Sequence, residues 1–292
     1  MTAFAAPYTL LRRDGEALVS RADPPRRPLD LPIAIPGMPA PERRNGLLRP
    51  EVARLIAERN FTVAFQPVVR LVDRRPVSHE ALLRLRPAPG APSQPTRAFV
   101  DAAQAWDLGA ALDEAMLDVT LGAWPREATT PVSVNICARS LRDPVFFARL
   151  LTRISGEGAT VAVELTGIHD GADLSAVSAM VPALRGVGVR VVLDDFAATE
   201  ACLACMRATQ FDEVKLAGAA VGDAVAGERG RKLLRALVAL ADAAGARTVA
   251  KLIETVPQAA LMQELGVQYG QGWLFGAPAL HNADRRKLVR AA

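Results

Sequence analysis

The chain has 292 residues, of which 50% are hydrophobic and 23% are charged, and a length of about 250 residues is ordinary for a single α/β barrel. This composition excludes wholesale disorder, collagen-like repetition and a coiled coil. Much of the net charge of +4 comes from scattered arginines, so we do not expect a duplex nucleic acid as partner. Because no apolar run reaches the roughly 18 to 20 residues of a membrane helix, we expect a cytoplasmic protein without a membrane contact.

The first part of the chain differs from the rest. Residues 21–44 contain seven prolines and several arginines, and such a run neither continues a helix nor pairs as a central strand. We interpret residues 1–49 as an N-terminal segment with a Pro-rich arm or linker, and residues 50–292 as the folded domain.

From Pro50 onwards, short apolar segments alternate with longer amphipathic stretches, a pattern typical of repeated βα units. The predicted strands are Val63 to Val69, Val77 to Leu83, Val132 to Cys137, Val161 to Leu165, Val189 to Leu193, Val214 to Leu216, Thr248 to Ala250 and Val267 to Tyr269. The predicted helices are Glu51 to Asn60, Arg97 to Trp106, Leu112 to Trp124, Val145 to Ile154, Leu174 to Leu184, Gly230 to Ala244 and Pro257 to Leu265. Eight strands with intervening helices favour a (β/α)8 TIM-like barrel over an open sheet.

Several of these apolar segments end in polar residues. The carboxyl ends of barrel strands converge on one face, so side chains that are distant in the chain become neighbours there. The polar strand ends are Glu80, Asn135, Glu164, Asp194 with Asp195, Lys215, Lys251 and Gln271. Four of them, Glu80, Asn135, Glu164 and Asp194, offer hard oxygen ligands of the kind that suits Mg²⁺ or Mn²⁺.

The three cysteines are too few for a disulfide framework. Cys202 and Cys205 form a C-x-x-C spacing, yet no second pair and no nearby histidine completes a zinc site. We favour two small helix residues one turn apart.

An ordered series of motifs resembles the EAL domain family. A first E-A-L tripeptide, Glu16-Ala17-Leu18, has no strand before it and is interpreted as coincidence. The series consists of Phe65-Gln66-Pro67-Val68-Val69, Glu80-Ala81-Leu82-Leu83-Arg84, Val132-Ser133-Val134-Asn135, Glu164-Leu165-Thr166, Asp194-Asp195-Phe196, Lys215 and Gln271-Gly272-Trp273-Leu274-Phe275 with Pro278. It covers roughly 220 residues, so the resemblance implies the EAL type of barrel and cyclic di-GMP as ligand.

The resemblance also implies roles for individual residues. Glu80, Asn135, Glu164 and Asp194 would be metal ligands, with an aspartate shared between two ions. Asp195 and Lys215 would be catalytic residues that act on the attacking water, which Lys215 would help to orient. The substrate-binding positions implied are Gln66 at a guanine and Arg84 at a phosphate, followed in the closing segment by Gln271 and Pro278.

The sequence departs from the family pattern at Lys251. Active relatives carry A-E-G-V-E where this chain has Ala250-Lys251-Leu252-Ile253-Glu254, so a lysine replaces the glutamate that serves the second metal. An ammonium group repels a divalent cation by well over about 1 kcal/mol even at an effective dielectric near 20. We therefore expect Mg²⁺ or Mn²⁺ at a single first-metal site and no normal second metal.

Three further departures lie near the same site. Gly167 replaces the glutamate of the family's E-L-T-E loop, Ala197 replaces a glycine, and Ala217 replaces an aspartate. Loss of carboxylates that orient metal ligands typically costs about 10-fold to 100-fold in affinity or activity. Gln66 and Arg84 are retained, so ligand binding has lost less than catalysis.

Three functions follow from this pattern. The favoured one is a degenerate EAL domain that binds cyclic di-GMP and signals to an unidentified protein partner with little or no hydrolysis. The alternative is an active, metal-dependent phosphodiesterase that produces pGpG, and the third is an interaction scaffold with a vestigial site. The resemblance also suggests a homodimer, although Gly167 lies in a loop linked to the dimer in the family.

Overall fold

The computed structural model describes residues 43–86, 96–157, 160–169 and 172–280. The first E-A-L tripeptide and nearly all of the Pro-rich arm lie outside these residues. Within them no helix is long and apolar enough to cross a membrane.

Eight strands close into one barrel, as the sequence predicts. A short antiparallel pair, β1 (Arg43–Arg44) and β2 (Leu47–Leu48), precedes it. The barrel strands are β3 (Phe61–Arg70), β4 (Pro76–Leu85), β5 (Val132–Cys137), β6 (Val161–Thr166), β7 (Arg190–Phe196), β8 (Glu213–Leu216), β9 (Arg247–Ala250) and β10 (Tyr269–Gln271). The TIM-like barrel predicted from the sequence is confirmed.

The first barrel strand runs in the opposite direction from the others. β3 pairs antiparallel with both β4 and β10, whereas the remaining neighbours pair in parallel. The turn over residues 71–75 joins β3 to β4 as a hairpin, so no helix is needed between them. This register places Gln66 directly opposite Glu80. Both residues lie in the middle of their strands, and not at the strand ends that the sequence predicts for Glu80.

The helices of the described residues surround the barrel. They are α1 (Arg49–Ala57), α2 (Thr96–Ala105), α3 (Gly109–Ala123), α4 (Pro144–Ser155), α5 (Ser175–Gly186), α6 (Glu200–Ala208), α7 (Gly218–Ala226), α8 (Glu228–Ala243) and α9 (Val256–Glu264). The periodicity did not single out α6 and α7, because both are short and rich in alanine. The helical interpretation of the C-x-x-C pair is confirmed: Cys202 and Cys205 lie in α6, buried and not disulfide-bonded.

Side chains alternate between two environments along each strand. Val132, Val134 and Ile136 of β5 are fully buried in the apolar layer that the strands share with the helices. The intervening Ser133 and Asn135 point to the other face, into the barrel interior. Polar inward positions on several strands thus gather at one end of the barrel.

Candidate functional site

The deepest part of the site is a buried lysine that contacts two glutamates. Lys215 is only 2% exposed, and its Nζ lies 2.7 Å from Glu80 Oε2 and 2.6 Å from Glu164 Oε2. Ser133 Oγ donates a further hydrogen bond to Glu164 at 3.1 Å. We call Lys215, Glu80 and Glu164 the buried lysine cluster.

Burial and charge act against each other in this cluster. Burial alone would raise the pKa of Glu80, but Lys215 and hydrogen bonds from Asn135 and Gln271 lower it well below its usual range. Burial together with the Glu80 charge raises the pKa of Glu164 despite Lys215. The neighbouring carboxylates raise the pKa of Lys215 although burial opposes this. Lys215 is therefore a permanent cation, and the two glutamates differ in acidity.

Amide side chains complete the surroundings of Glu80. Asn135 Nδ2 donates to Glu80 Oε1 at 3.0 Å, and Gln271 Nε2 donates to Glu80 Oε2 at 2.7 Å and to Gln66 Oε1 at 3.1 Å. The orientation of the Gln271 amide is fixed because both of these partners only accept at those atoms. Gln66 Nε2 in turn donates to the carbonyl of Gly276 at 3.1 Å. Gln66 is thus held in place by polar contacts on both sides.

A second lysine cluster lies at the rim, formed by Lys251, Asp194 and Asp195. Lys251 Nζ lies 2.7 Å from Asp194 Oδ1 and also donates to Asp195 Oδ1. The Lys251 side chain is 20% exposed and that of Asp195 is 68% exposed. Burial would lower the pKa of Lys251, but the two aspartates raise it above its usual range. We call these three residues the rim lysine cluster.

The remaining predicted ligand-binding residues lie around these clusters. Arg84 Nη1 donates to the carbonyl of Leu83 at 2.8 Å. Burial lowers the pKa of Arg84, while the Glu80 carboxylate opposes this. Pro278 precedes Ala279, whose backbone pairs with Phe65 of β3. The substrate-binding role of Pro278 stays a prediction from the sequence.

Two cavities flank Glu80. The larger, about 590 Å³, is lined by Asn135, Asp194, Asp195 and by Asp113 of α3. The smaller, about 160 Å³, is lined by Gln66, Lys251, Leu252, Gln271 and Trp273. The sequence did not single out Asp113, Leu252 or Trp273 as site residues. Trp273 follows Gln271-Gly272 directly in the closing motif, which was the one available signal.

The oxygen donors of the site are of the kind that binds a divalent cation. Three carboxylates and the Asn135 amide suit a hard ion by their chemistry. In the described residues, however, no three His, Cys, Asp or Glu side chains are grouped as a metal-holding set, because their oxygens face Lys215 and Lys251. Lys215 belongs to the family pattern, whereas Lys251 brings a cation where a carboxylate would stand. The second-metal position does not fit the side chains of this chain.

Gly167 has a backbone conformation that disfavours any other residue. Gly167 has φ of +76°, and a Cβ there would lie 3.1 Å from Cys137 Sγ. A glutamate at this position would be strained in the left-handed region and would press on the thiol. The loop of this chain therefore does not accept a glutamate at position 167 without rearrangement.

Comparison with known proteins places the chain in a family. Residues 49–278 match the EAL domain model. The uncharacterized protein Rv1357c of Mycobacterium tuberculosis is 32% identical over 229 residues, 74% of each chain. The cyclic di-GMP phosphodiesterase PA2567 of Pseudomonas aeruginosa is 26% identical over 235 residues, which is 76% of this chain but 39% of that protein.

Solved structures agree on the fold. The EAL domain of FimX from Pseudomonas aeruginosa, described as bound to cyclic di-GMP, has a TM-score of 0.69 at 19% identity and covers 79% of this chain and 95% of its own. The EAL enzyme Bd1971 has a TM-score of 0.71 at 19% identity, over 82% of this chain and 69% of its own. From the family match and the mycobacterial relative together, this chain belongs to the EAL domain family.

Proposed function

We propose that this chain is a degenerate EAL domain that binds cyclic di-GMP and has little or no hydrolytic activity. The observation that carries the proposal is the contact of the Lys251 ammonium group with both Asp194 and Asp195. Those aspartates would serve two ions in an active relative. Here a fixed cation of the protein holds them instead.

A charge count supports a single divalent ion. The two lysine clusters contain four carboxylates and two ammonium groups, which leave two negative charges when all are ionised. With the family's glutamate at position 251, five carboxylates and one ammonium group would leave four. One divalent ion neutralises the first arrangement and two neutralise the second.

Glu80, Asn135, Glu164 and Asp194 would hold that one ion, Mg²⁺ or Mn²⁺. A bound divalent cation polarises a phosphodiester and acidifies a water molecule. The ammonium group of Lys251 is a point charge that neutralises an anion. It neither polarises a phosphodiester as strongly as a divalent ion does nor activates a water molecule. Asp195, proposed to act on the water with Lys215, is committed to Lys251.

Ligand binding draws on groups that remain. Arg84 and Lys251 supply positive charge for the two phosphates, Gln66 supplies a polar edge for a base, and the cavities on either side of Glu80 suit a ligand with two bases. Gln271 positions Gln66 in this scheme. The protein partner, the homodimer and the cytoplasmic location stay predictions from the sequence.

An active phosphodiesterase is the alternative. It is favoured by the retained oxygen donors and by relatives such as PA2567, named a cyclic di-GMP phosphodiesterase. Incubation of the purified protein with cyclic di-GMP and Mg²⁺ or Mn²⁺ separates the two. We expect pGpG formation at least about 100-fold slower than with an active EAL enzyme, since loss of the second cation removes metal activation of the water. Robust turnover that Glu80→Ala abolishes would establish the alternative.

The role of Lys251 is tested by charge reversal. We expect one Mn²⁺ per chain in the unchanged protein and two in Lys251→Glu, measured by titration calorimetry. Lys251→Ala should weaken cyclic di-GMP binding, because the phosphate loses a cation. If Lys251→Glu binds no more Mn²⁺ than the unchanged protein, and Lys251→Ala binds cyclic di-GMP with unchanged affinity, the lysine at position 251 has no function in metal exclusion or in ligand binding.

A further inference from the structure

Five arginines gather at the end of the barrel opposite to the functional face. Strands β7 and β9 begin there, and the antiparallel strand β3 ends there before the turn that leads to β4. Along β3, this end lies four residues from Gln66, a distance of about 13 Å at a rise of about 3.3 Å per residue. We call the five residues the basic face: Arg70, Arg74, Arg75, Arg190 and Arg247.

Two of these arginines converge on one carboxylate. Arg190 Nη1 lies 3.2 Å and Arg247 Nη2 lies 3.6 Å from the same atom, Glu213 Oε1. Arg247 also lies over the ring of Tyr269, with 5.5 Å between its guanidinium carbon and the ring centroid. One carboxylate compensates only one of the two guanidinium charges, so this recess between the strand ends keeps an excess positive charge.

The turn between β3 and β4 adds charge on a fixed backbone. Arg70 N donates to the carbonyl of Arg75 at 2.9 Å, and Arg74 N donates to the carbonyl of Arg70 at 2.8 Å. Asp73 forms salt bridges with Arg70 and Arg75, whereas Arg74 forms no salt bridge with the described residues. Val72 is 70% exposed at the same turn. An apolar side chain thus lies among the arginines.

The backbone of Arg74 is in an unfavourable conformation for its side chain. Its φ is +57°, a region in which glycine, asparagine or aspartate is preferred at a hairpin turn. An arginine in this region costs stability, and its exposed side chain contributes little to packing. A residue that is retained against its conformational preference indicates a contact outside the folded domain.

The charge of the basic face restricts what can cover it. Five arginines lie near two carboxylates, those of Asp73 and Glu213, which leaves three positive charges. Asp212, which precedes Glu213, is paired with Arg185 at 3.1 Å and does not alter this excess. The side chain of Arg190 is only 28% exposed, so a flat bilayer does not reach it, whereas a projecting carboxylate does.

We propose that the basic face binds an acidic segment of a partner protein. Glutamate or aspartate side chains of that segment pair with the arginines, since guanidinium groups match carboxylates in charge and geometry. An apolar side chain of the segment packs against Val72. This inference goes beyond the proposed function, because the face is separate from the nucleotide site and is available whether or not a nucleotide is bound.

Fluorescein-labelled octaglutamate is the probe, and anisotropy at about 0.05 M salt, where screening is weak, measures its binding without nucleotide. We expect Arg74→Glu/Arg75→Glu to weaken binding at least about 10-fold, because like charges then face each other. Arg247→Gln should weaken it about 3-fold or more by removing a charged donor from the recess. The matched control, Arg229→Glu/Lys232→Glu, makes the same change in charge on the exposed side of α8 and should weaken binding less than about 2-fold.

Arg74→Gly separates binding from folding. Glycine relieves the positive φ, so the melting temperature should stay the same or rise. Octaglutamate binding should nevertheless weaken about 3-fold, because the cation is gone. A purely structural role of Arg74 would not produce weaker binding in a protein that is equally or more stable.

The outcomes separate this inference from the proposed function. It is overturned if octaglutamate does not bind, or if the α8 control weakens binding as much as Arg74→Glu/Arg75→Glu does. It is also overturned if vesicles of phosphatidylcholine and phosphatidylglycerol, or octathymidylate, bind this face more tightly than octaglutamate, since the occupant would then be a membrane or a nucleic acid. Cyclic di-GMP affinity should be unchanged in Arg74→Glu/Arg75→Glu, and a loss there would contradict a separate face. Failure of the unchanged protein to bind cyclic di-GMP would overturn the proposed function alone.

Discussion

The two lysine clusters have the same composition, one lysine and two carboxylates, and differ in their access to water. The Lys215 side chain is 3% exposed and its partners are 10% and 1% exposed. In the rim lysine cluster the corresponding values are 20% for Lys251, 17% for Asp194 and 68% for Asp195. Ion pairs of the same composition therefore contribute differently to the stability of the fold in the two clusters.

Removal of one partner from a buried ion pair is strongly destabilising, because water cannot solvate the charge that remains. Removal of one partner from an ion pair at the surface changes the stability little, because solvent and salt already screen the interaction. The buried lysine cluster is thus part of the architecture of the barrel. In the rim lysine cluster, a substitution can reverse the charge of a side chain without unfolding the domain. Lys251, at a position where active relatives have glutamate, is such a substitution.

The largest expected effect is on stability, from Lys215→Met. Methionine has a similar length and leaves Glu80 and Glu164 without a cation, which should lower the free energy of unfolding by about 3 to 5 kcal/mol. Urea denaturation measures this loss. Lys232→Met, the same change at an exposed lysine of α8, is the control and should change stability by less than about 0.5 kcal/mol. A Lys215→Met protein as stable as the control would contradict the structural role of the buried lysine cluster.

Asp113 sharpens the comparison as a buried carboxylate without a lysine. Its oxygen accepts a hydrogen bond from Cys137 N at 2.9 Å, and it forms no salt bridge with the described residues. Burial raises the pKa of Asp113 to about 7, while hydrogen bonds from Ser140 and Cys137 partly oppose this. The pKa of Glu80, which accepts hydrogen bonds from Lys215, Asn135 and Gln271, shifts in the opposite direction. The pKa of Glu164, which is buried beside the charge of Glu80, is raised like that of Asp113 although Lys215 is in contact with it.

This shift predicts a stability that depends on pH. Between about pH 4 and pH 7 the folded chain keeps a proton on Asp113 that the unfolded chain has released, so stability falls as pH rises through this window. Asp113→Asn cannot titrate, and the fall between pH 4.5 and pH 8 should shrink by about 2 to 4 kcal/mol. Urea denaturation at both pH values measures it, with Asp242→Asn on the exposed face of α8 as control. Parallel pH profiles for the unchanged and Asp113→Asn proteins would rule out the buried neutral acid.

The sequence predicted the barrel and its functional face because both depend on local patterns. Apolar segments that contain Glu80, Asn135 or Glu164 mark strands, and each of these residues lies within a barrel strand, with Glu80 in the middle of β4 and not at its carboxyl end. The antiparallel direction of β3 was not readable, since a hairpin and a crossover both begin with an apolar segment. The hydrogen-bonded pairing of β3 with β4 and β10 shows its antiparallel direction. Strand pairing and its register are not encoded in composition.

The contacts of individual side chains were only partly predictable. Repulsion of a divalent ion by Lys251 follows from charge alone, whereas its simultaneous contact with Asp194 and Asp195 depends on the strand ends that carry them. The positive φ of Leu252 and the burial of Asp113 beside Cys137 arise from tertiary packing. No periodicity in the sequence encodes them.

The smallest expected effect is on stability, from Lys251→Met, and it tests whether the rim lysine cluster is as adjustable as its exposure indicates. Asp195 is largely hydrated and Asp194 partly so, so we expect a loss of no more than about 1 kcal/mol. Removal of the ammonium group also leaves room for a cation at the two aspartates. Millimolar Mn²⁺ should then raise the melting temperature of Lys251→Met more than that of the unchanged protein, because an ion that binds only the folded state stabilises it by mass action. A loss of stability equal to that of Lys215→Met, with no added response to Mn²⁺, would show that both clusters are architectural and would leave Lys251 without a part in the ligand site.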